Sequence, residues 1–415
     1  MSVAGGAPAL RTHPRLALGS MLAVQAVATL ALTVPAVMAP VVAPMLGVPP
    51  HRIGWFVGLA YLTAMFTGLI AGARVSRMGA VRMARGALWS SAAGLALTAL
   101  GTISAAWLPV LALAAIALGI GYGPPNPAGS MVLAVHAPPA RRGLYFSIKQ
   151  TGVPIGIGLA GLLVPPLLAL MSWNAALLVL AALCAALAWM LRVASVLDGV
   201  PDAAAVNDPP PTLRALVHET AAPLARVWHE LPLRRIAVAS LAFAMTQLSF
   251  VTFLVSYLKL EHDMSLALAA GVLSVSQVLS VGCRVMWGQV ADRWVPPLRL
   301  LAILGLAMAG CSAALGALPV DAPIALSVAA ALASAATSMS WNGVYLAALA
   351  QQVPARELGA VTGGTQFVTF CGAMGGPVLF ASLVGLTGSH GATYIVMAAA
   401  PAAVGVWLWI ASRET

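Results

Sequence analysis

Apolar residues run along this chain in long unbroken blocks, and polar residues cluster in the short gaps between them. Blocks of about 20 apolar residues are long enough to cross roughly 30 Å of hydrocarbon as helices. The pattern predicts twelve such spans: 16–39, 52–72, 84–104, 107–133, 143–169 and 173–192, then 236–258, 265–287, 299–318, 323–349, 358–386 and 391–411. One long hydrophilic stretch, 193–235, interrupts the series with Asp198, Pro201, Asp202, Asn207 and Asp208. It divides the chain into an N-terminal six-helix unit (1–192), a linker and a C-terminal six-helix unit (236–415). Within the linker, Leu213 to Leu231 mixes Leu, Val and Trp with Arg, His and Glu, a pattern suited to an amphipathic helix on the membrane surface.

The two halves repeat at a constant offset of 216 residues. Gly72 aligns with Gly288, Arg77 with Arg293, Asn126 with Asn342, Pro138 with Pro354, Gly143 with Gly359, Gln150 with Gln366 and Gly156 with Gly372, without a gap. The Asn, Gln and Arg matches are the informative ones in a chain with 39 glycines. Parallel repeats with a binding site at their interface are one layout of secondary transporters.

Composition narrows the class further. Of 415 residues, 61% are hydrophobic and 8% charged, with a mean hydropathy of +0.95. Soluble domains carry about 25% charged residues. A water-soluble enzyme is excluded, as are disordered, collagenous and disulfide-rich secreted chains. The fold class is an all-α membrane protein.

The net charge of +10 reports topology rather than a nucleic-acid partner. Twelve spans put both termini on one side. Of the 21 basic residues, only Arg52 and Lys259 fall on the other side, and Lys149 and Arg284 fall inside spans. The basic side is therefore predicted to be cytoplasmic. Cys184, Cys283, Cys311 and Cys371 lie in apolar stretches without metal-ligand spacing and read as packing residues. No cleavable signal peptide is expected. Short loops and an Ala-rich composition point to a bacterial inner membrane, with both termini cytoplasmic.

Gly72-Ala-Arg-Val-Ser76-Arg77-Met-Gly79 and its repeat partner Gly288-Gln-Val-Ala-Asp292-Arg293 resemble the G-x-x-x-D-R-x-G loop signature of the major facilitator superfamily. The resemblance covers essentially the whole chain. It implies two six-helix bundles related by a pseudo-twofold axis, and it assigns Gly72, Arg77, Gly288, Asp292 and Arg293 to a conformational latch. In such a latch a carboxylate sits near a helix N-terminus, where it gains roughly 0.3–1 kcal/mol. The first copy departs from the signature with Ser76 in the aspartate's place, and the second lacks the later glycine.

All eleven acidic residues map to loops, termini or helix ends. The membrane-embedded carboxylate typical of drug antiporters and sugar symporters resembling this family is missing. Lys149 lies seven residues past Arg142, and Arg284 eight residues before Asp292, hence about 10 and 12 Å into the membrane. Intramembrane charges usually face a cavity and serve function, with snorkelling to the interface as the alternative. Gly282-Cys-Arg284-Val-Met-Trp287-Gly288 resembles the eighth helix of oxalate and monocarboxylate transporter families. There, an arginine four residues before the loop glycine is understood to bind the substrate carboxylate, a role suited to its planar fork.

Polar and aromatic residues near these charges complete the candidate substrate site: Tyr122, Asn126, Gln150, Trp341, Asn342, Gln366, Gln25 and Gln277. Tyr122-Gly-Pro124-Pro125-Asn126-Pro127 predicts a break whose freed carbonyls line a cavity or find partners. Gly152-Val-Pro154 predicts a kink. Gly152, Gly156, Gly158 and Gly161 and their counterparts suit close helix packing. There is no phosphate-loop signature, no metal-ligand set and no cofactor motif.

The expectation is a monomeric secondary transporter that moves a small organic anion, a monocarboxylate, by symport, exchange or uniport. Without a buried acid, symport of a proton would need the substrate or Lys149 to carry it. The alternative is efflux of a hydrophobic or zwitterionic molecule. The expected partners are the substrate and the lipid bilayer, with no nucleic acid.

Overall fold

The computed structural model describes residues 13–101, 107–138, 142–198, 224–353 and 355–413. Its elements are helices joined by short turns, and no strand occurs among the described residues. The first six spans are Pro14–Met45, Ile53–Met78, Ala80–Gly101, a broken pair Trp107–Tyr122 and Pro125–His136, a second broken pair Arg142–Gln150 and Gly152–Leu170, and Trp173–Met190. The second six are Leu231–Leu260, Leu266–Arg293, Pro297–Gly316, the broken pair Ile324–Ser338 and Asn342–Ala350, Ala355–Thr387, and His390–Met397 continuing as Ala399–Ala411. Eleven spans pass by length and apolar composition alone. The twelfth is the third span, Ala80–Gly101, whose Arg82, Arg85, Ser90 and Ser91 dilute its hydropathy. The predicted span 84–104 ends among residues 102–106, which lie outside the described residues.

Helices outrun the apolar blocks that predicted them. The second span continues to Met78 and the eighth to Arg293, so the loop signatures ride on helix ends. Intrahelical hydrogen bonding does not stop where hydrocarbon gives way to head groups. The turn from second to third span is made by Gly79 alone, at φ 82°, a backbone region that favours glycine.

Residues 193–198, placed in the linker by sequence, form a 3-10 helix whose Ala194 and Leu197 are buried. Asp198 then accepts the backbone N–H of Val81 at 2.6 Å and of Arg82 at 3.3 Å. The carboxylate thus sits at the N-terminus of the third span, where it satisfies orphan donors. A Cβ on Gly79 would lie 2.8 Å from Asp198 Oδ2, a second reason for glycine there. Of the predicted amphipathic helix, 213–223 lie outside the described residues; 224–229 are helical.

The bundles meet at the face away from the termini. Gly54 and Gly58 of the second span pack on Pro377, Val378, Ala381 and Met374 of the eleventh. Gly158 and Gly161 of the fifth pack on Ser274 and Ala270 of the eighth, and Ser274 Oγ donates to the Gly158 carbonyl at 2.8 Å. The two contacts are images of each other under the 216-residue offset: Gly54 maps to Ala270, Gly58 to Ser274, Gly158 to Met374 and Gly161 to Pro377. Small residues let backbones approach where lipid supplies no hydrophobic drive. Towards the termini the same four spans separate. Arg142–Gln150 packs on the first and fourth spans and the rest of the fifth, all of its own bundle, and Gln150 at its end is exposed. The conformation is closed at the far face and open at the terminal face.

Glu261 ties the far end of the seventh span to the twelfth. Its carboxylate accepts the backbone N–H groups of His390 and Gly391, the Ser389 hydroxyl at 3.3 Å and, at 2.9 Å, the His390 ring. Burial pushes its pKa up, but the His390 ring and these N–H groups outweigh that and hold it below the ordinary glutamate value. A depressed carboxyl pKa stabilises the fold above the unfolded value of about 4.3, and that stabilisation is lost as pH falls through the folded value. Glu261→Gln is therefore expected to lower the melting temperature of detergent-purified protein at pH 7. The gap between variant and wild type should close as pH is lowered below about 4. A gap independent of pH would remove the carboxylate from this role.

Candidate functional site

The fourth and tenth spans break at positions that correspond under the offset, and the site forms around those breaks. In the fourth span Gly123 and Pro124 interrupt the helix between Tyr122 and Pro125. Proline lacks the N–H that would continue the ladder and disfavours helix in the residue before it. The tenth span breaks at Met339–Trp341 without proline. Here Arg284 of the eighth span donates from Nε to the Met339 carbonyl at 2.8 Å. Gln277, two turns earlier on the same face, donates to Met339 Sδ at 3.2 Å and to Ser276 Oγ at 3.1 Å. Residues 68 and 123 are the repeat images of 284 and 339. In the first half that juncture is glycine on glycine, with a Cβ on Gly68 lying 3.4 Å from the Gly123 carbonyl. The second half has put an arginine where the first has hydrogen.

Arg284 is half-buried, and among the described residues no carboxylate pairs with it. Its Nη groups are left for another partner. Across the seam it lies within electrostatic range of Tyr122. The Tyr61 and Tyr122 rings meet edge-on, 5.5 Å apart. Both bundles thus contribute to one polar surface around a lone cation.

Lys149 takes a different position. It is 1% exposed and donates from Nζ to Asn126 Oδ1 at 2.6 Å. Its stem packs at Gly129, where an added Cβ would lie 2.8 Å from Lys149 Cε. The repeat image of this pair is Tyr345 with Thr365, which are hydrogen-bonded to each other. A large residue on one helix and a small one on the next have exchanged places between the halves. Lys149 does not snorkel, and no interaction joins it to Arg284. The sequence expectation that both intramembrane cations face the substrate cavity is corrected to one cation at the seam and one inside the first bundle, reached through the exposed Asn126. The break in the fifth span falls at Thr151, whose Oγ1 donates to the Ile148 carbonyl at 2.6 Å, just before the predicted Gly152–Pro154 kink.

The other candidates scatter. Trp341 is 1% exposed, donates to Gln247 Oε1 at 2.9 Å and is wedged between Phe243 and Tyr345, so it packs inside the second bundle rather than facing the cavity. Gln25 is buried against Gly152, with Oε1 unpartnered, as is Oε1 of Gln277. Gln150 is exposed, and Asn342 and Gln366 are partly so. Gly72 and Gly288 stand free, Arg293 is exposed, and the side chains of Arg77 and Asp292 lie outside the described residues. Tyr61 is the contributor that sequence reasoning missed. Its signal was an intramembrane tyrosine on the span facing the fourth-span break. Gly156 and Gly372 pack tightly as expected, on Thr29 and on the Leu241 backbone.

The sequence matches the family model for the Major Facilitator Superfamily over residues 21–377. Two uncharacterized MFS-type transporters from strains of Mycobacterium tuberculosis are 31% and 30% identical over 308 residues, 71% of this chain. The match spans 63% of the length of these relatives. Among solved structures, a POT family transporter in complex with 5-aminolevulinic acid superposes with TM-score 0.75 at 11% identity, covering 97% of each chain. The peptide transporter POT in complex with sulfate gives 0.72 at 18%, over 97% of this chain and 95% of that one. A bacterial homolog of the human lysosomal transporter Spinster, inward-facing and unoccupied, gives 0.70 at 14%, over 98% and 96%.

Proposed function

Because the chain belongs to the Major Facilitator Superfamily, we propose that it is a secondary transporter that moves a small organic anion, a monocarboxylate, by alternating access across a bacterial inner membrane. The positive-inside distribution supports cytoplasmic termini, which makes the conformation described here inward-facing. The observation that carries the substrate class is Arg284: a partly buried guanidinium at the seam, braced on the Met339 carbonyl, with no carboxylate partner among the described residues.

Burying an unpaired charge is costly in a membrane, so such a group persists where a ligand of opposite charge completes it. The braced Nε fixes the plane of the fork and leaves Nη groups to engage a carboxylate, the geometry in which arginine outperforms lysine. Tyr122 can add a neutral hydrogen bond from the other bundle, so that anion binding bridges the seam. A ligand that binds one conformation better than the other shifts the equilibrium towards it.

The test is a thermal-shift panel on detergent-purified protein. Small monocarboxylates are expected to raise the melting temperature of wild type and not of Arg284→Gln. Stabilisation by cations or neutral amphiphiles, with Arg284→Gln responding as wild type does, would overturn the anion reading and favour efflux.

A further inference from the structure

One apolar cavity lies away from the seam. It has a volume of about 360 Å³ and sits inside the first bundle at the face away from the termini. Its walls are Met38 and Val42 of the first span, Phe56 and Leu59 of the second, Leu111 of the fourth and Leu177 of the sixth. No described residue of the second bundle lines it. The bundles move against each other in alternating access, so a cavity within one bundle is not exposed to the two sides in turn, and it is not the transport site.

The cavity's polar equipment is sparse. Apart from the indole N–H groups of Trp55 and Trp173, its described lining offers only Thr98, whose hydroxyl is spent on the Gly94 carbonyl, and Arg52. Water has too few partners there to fill it, and an empty apolar void forfeits packing on every wall. Trp55 and Leu108, 56% and 63% exposed, stand on its rim and open it sideways. Arg52 is exposed, pairs with no carboxylate among the described residues, and starts the second span at the level where tryptophans mark the membrane interface.

We infer that this cavity holds one acyl chain of an anionic phospholipid from the leaflet at that face, with the lipid phosphate on Arg52. A methylene fills about the volume of a liquid water, ~30 Å³, so the space takes roughly a dozen methylenes. That is most of a membrane acyl chain. The cation at the rim is complementary to a head group of net negative charge, whereas the ammonium of a zwitterionic head group offsets the pull of its own phosphate. The bound chain would fill the bundle core beneath the loop of residues 46–52 and so support the surface on which Gly54 and Gly58 close against the eleventh span.

The experiment quantifies phospholipids that co-purify with the protein in mild detergent, by mass spectrometry of the extract. Wild type is expected to retain about one phosphatidylglycerol per chain. Ala112→Phe and Ala43→Phe, which fill the cavity from two walls, should each cut retention at least about fivefold, since each methylene denied burial weakens anchoring. Both should keep or raise the melting temperature, as cavity filling does in a folded protein. Ala112→Leu replaces either variant that fails to give a monodisperse peak. Arg52→Gln should keep a lipid but lose the preference for phosphatidylglycerol over phosphatidylethanolamine. Unchanged retention in the filled variants, or no anionic preference in wild type, overturns the inference. So does displacement of the lipid by a carboxylate that wild type transports, which would make the cavity a substrate site. The inference does not rest on the Arg284 reading and survives its failure.

Discussion

Arg284→Lys keeps a positive charge at the seam and is nevertheless expected to lose at least about a hundredfold of carboxylate uptake in proteoliposomes, as two lost charge-assisted hydrogen bonds imply. The reason is geometric. The arginine spends Nε on the Met339 carbonyl at 2.8 Å and still has two Nη groups lying in the same plane. A lysine presents a single ammonium, which must choose between the carbonyl freed by the broken tenth span and the substrate. If it takes the carbonyl, the substrate carboxylate is left with a distant point charge. If it takes the substrate, the carbonyl at the helix break loses its only described side-chain donor. Each charge-assisted hydrogen bond is worth about 1.5–3 kcal/mol, and leaving a buried charge without its partner costs about 2–5 kcal/mol. Two such losses exceed the ~2.8 kcal/mol that corresponds to a hundredfold.

Arg284→Gln, which also lacks the charge, should do no better. Fluorescence-detected size exclusion should show both variants folded, because neither disturbs the Gln277 bond to Met339 Sδ. Wild-type uptake by Arg284→Lys would mean that charge alone recruits the substrate. Wild-type uptake by Arg284→Gln as well would move the site elsewhere.

The spans were legible because hydrocarbon imposes a length on apolar blocks, and the repeat was legible because Asn126 and Asn342, and Gln150 and Gln366, keep one offset. The fourth-span break was legible from its prolines. The tenth-span break was not. It has no proline, and it is held by Arg284 and Gln277 from another helix and by Trp341 wedged into the core, contacts no local pattern encodes. Counting along the helices put Lys149 and Arg284 inside apolar spans. It could not say that Lys149 turns inward, because that depends on a missing side chain at Gly129. Nor could it show that Asp198, across the linker boundary, would bring a carboxylate to the helix start beside the signature copy that carries Ser76. Residues whose roles are set by their own helix were readable, and those set by a neighbour's vacancy were not.

The second large effect is expected at the closed face, from a position with no chemistry of its own. A Cβ on Gly54 would collide with the Pro377 carbonyl, lie 2.7 Å from Ala381 Cβ and 2.9 Å from Phe253 Cζ. Phe253 cannot yield, since it is fully buried and stacked on Phe380 at 4.4 Å. Gly54→Leu must therefore push the second span away from the eleventh. Overpacking costs about 1–3 kcal/mol in a core that can adjust, and here the available adjustment is the separation of the bundles. Conformations of a transporter differ by only a few kcal/mol, so the substitution is expected to shift the population towards opening at this face by about 5- to 150-fold. Turnover falls in proportion, because each cycle must pass through the closed state.

Gly161→Leu, at the repeat-equivalent contact with Ala270, should act in the same direction, and Gly19→Leu, where a Cβ meets nothing within 4 Å, should be neutral. Spin labels at Met45 and Val320, both 68% exposed and one on each bundle, report the opening. Their distance distribution should lengthen in Gly54→Leu and Gly161→Leu while uptake falls. An unchanged distribution with normal uptake would mean that closure at this face is not made by these glycines. A lengthened distribution with normal uptake would mean that closure there is not rate-determining, and the two glycine contacts would then be packing rather than gate.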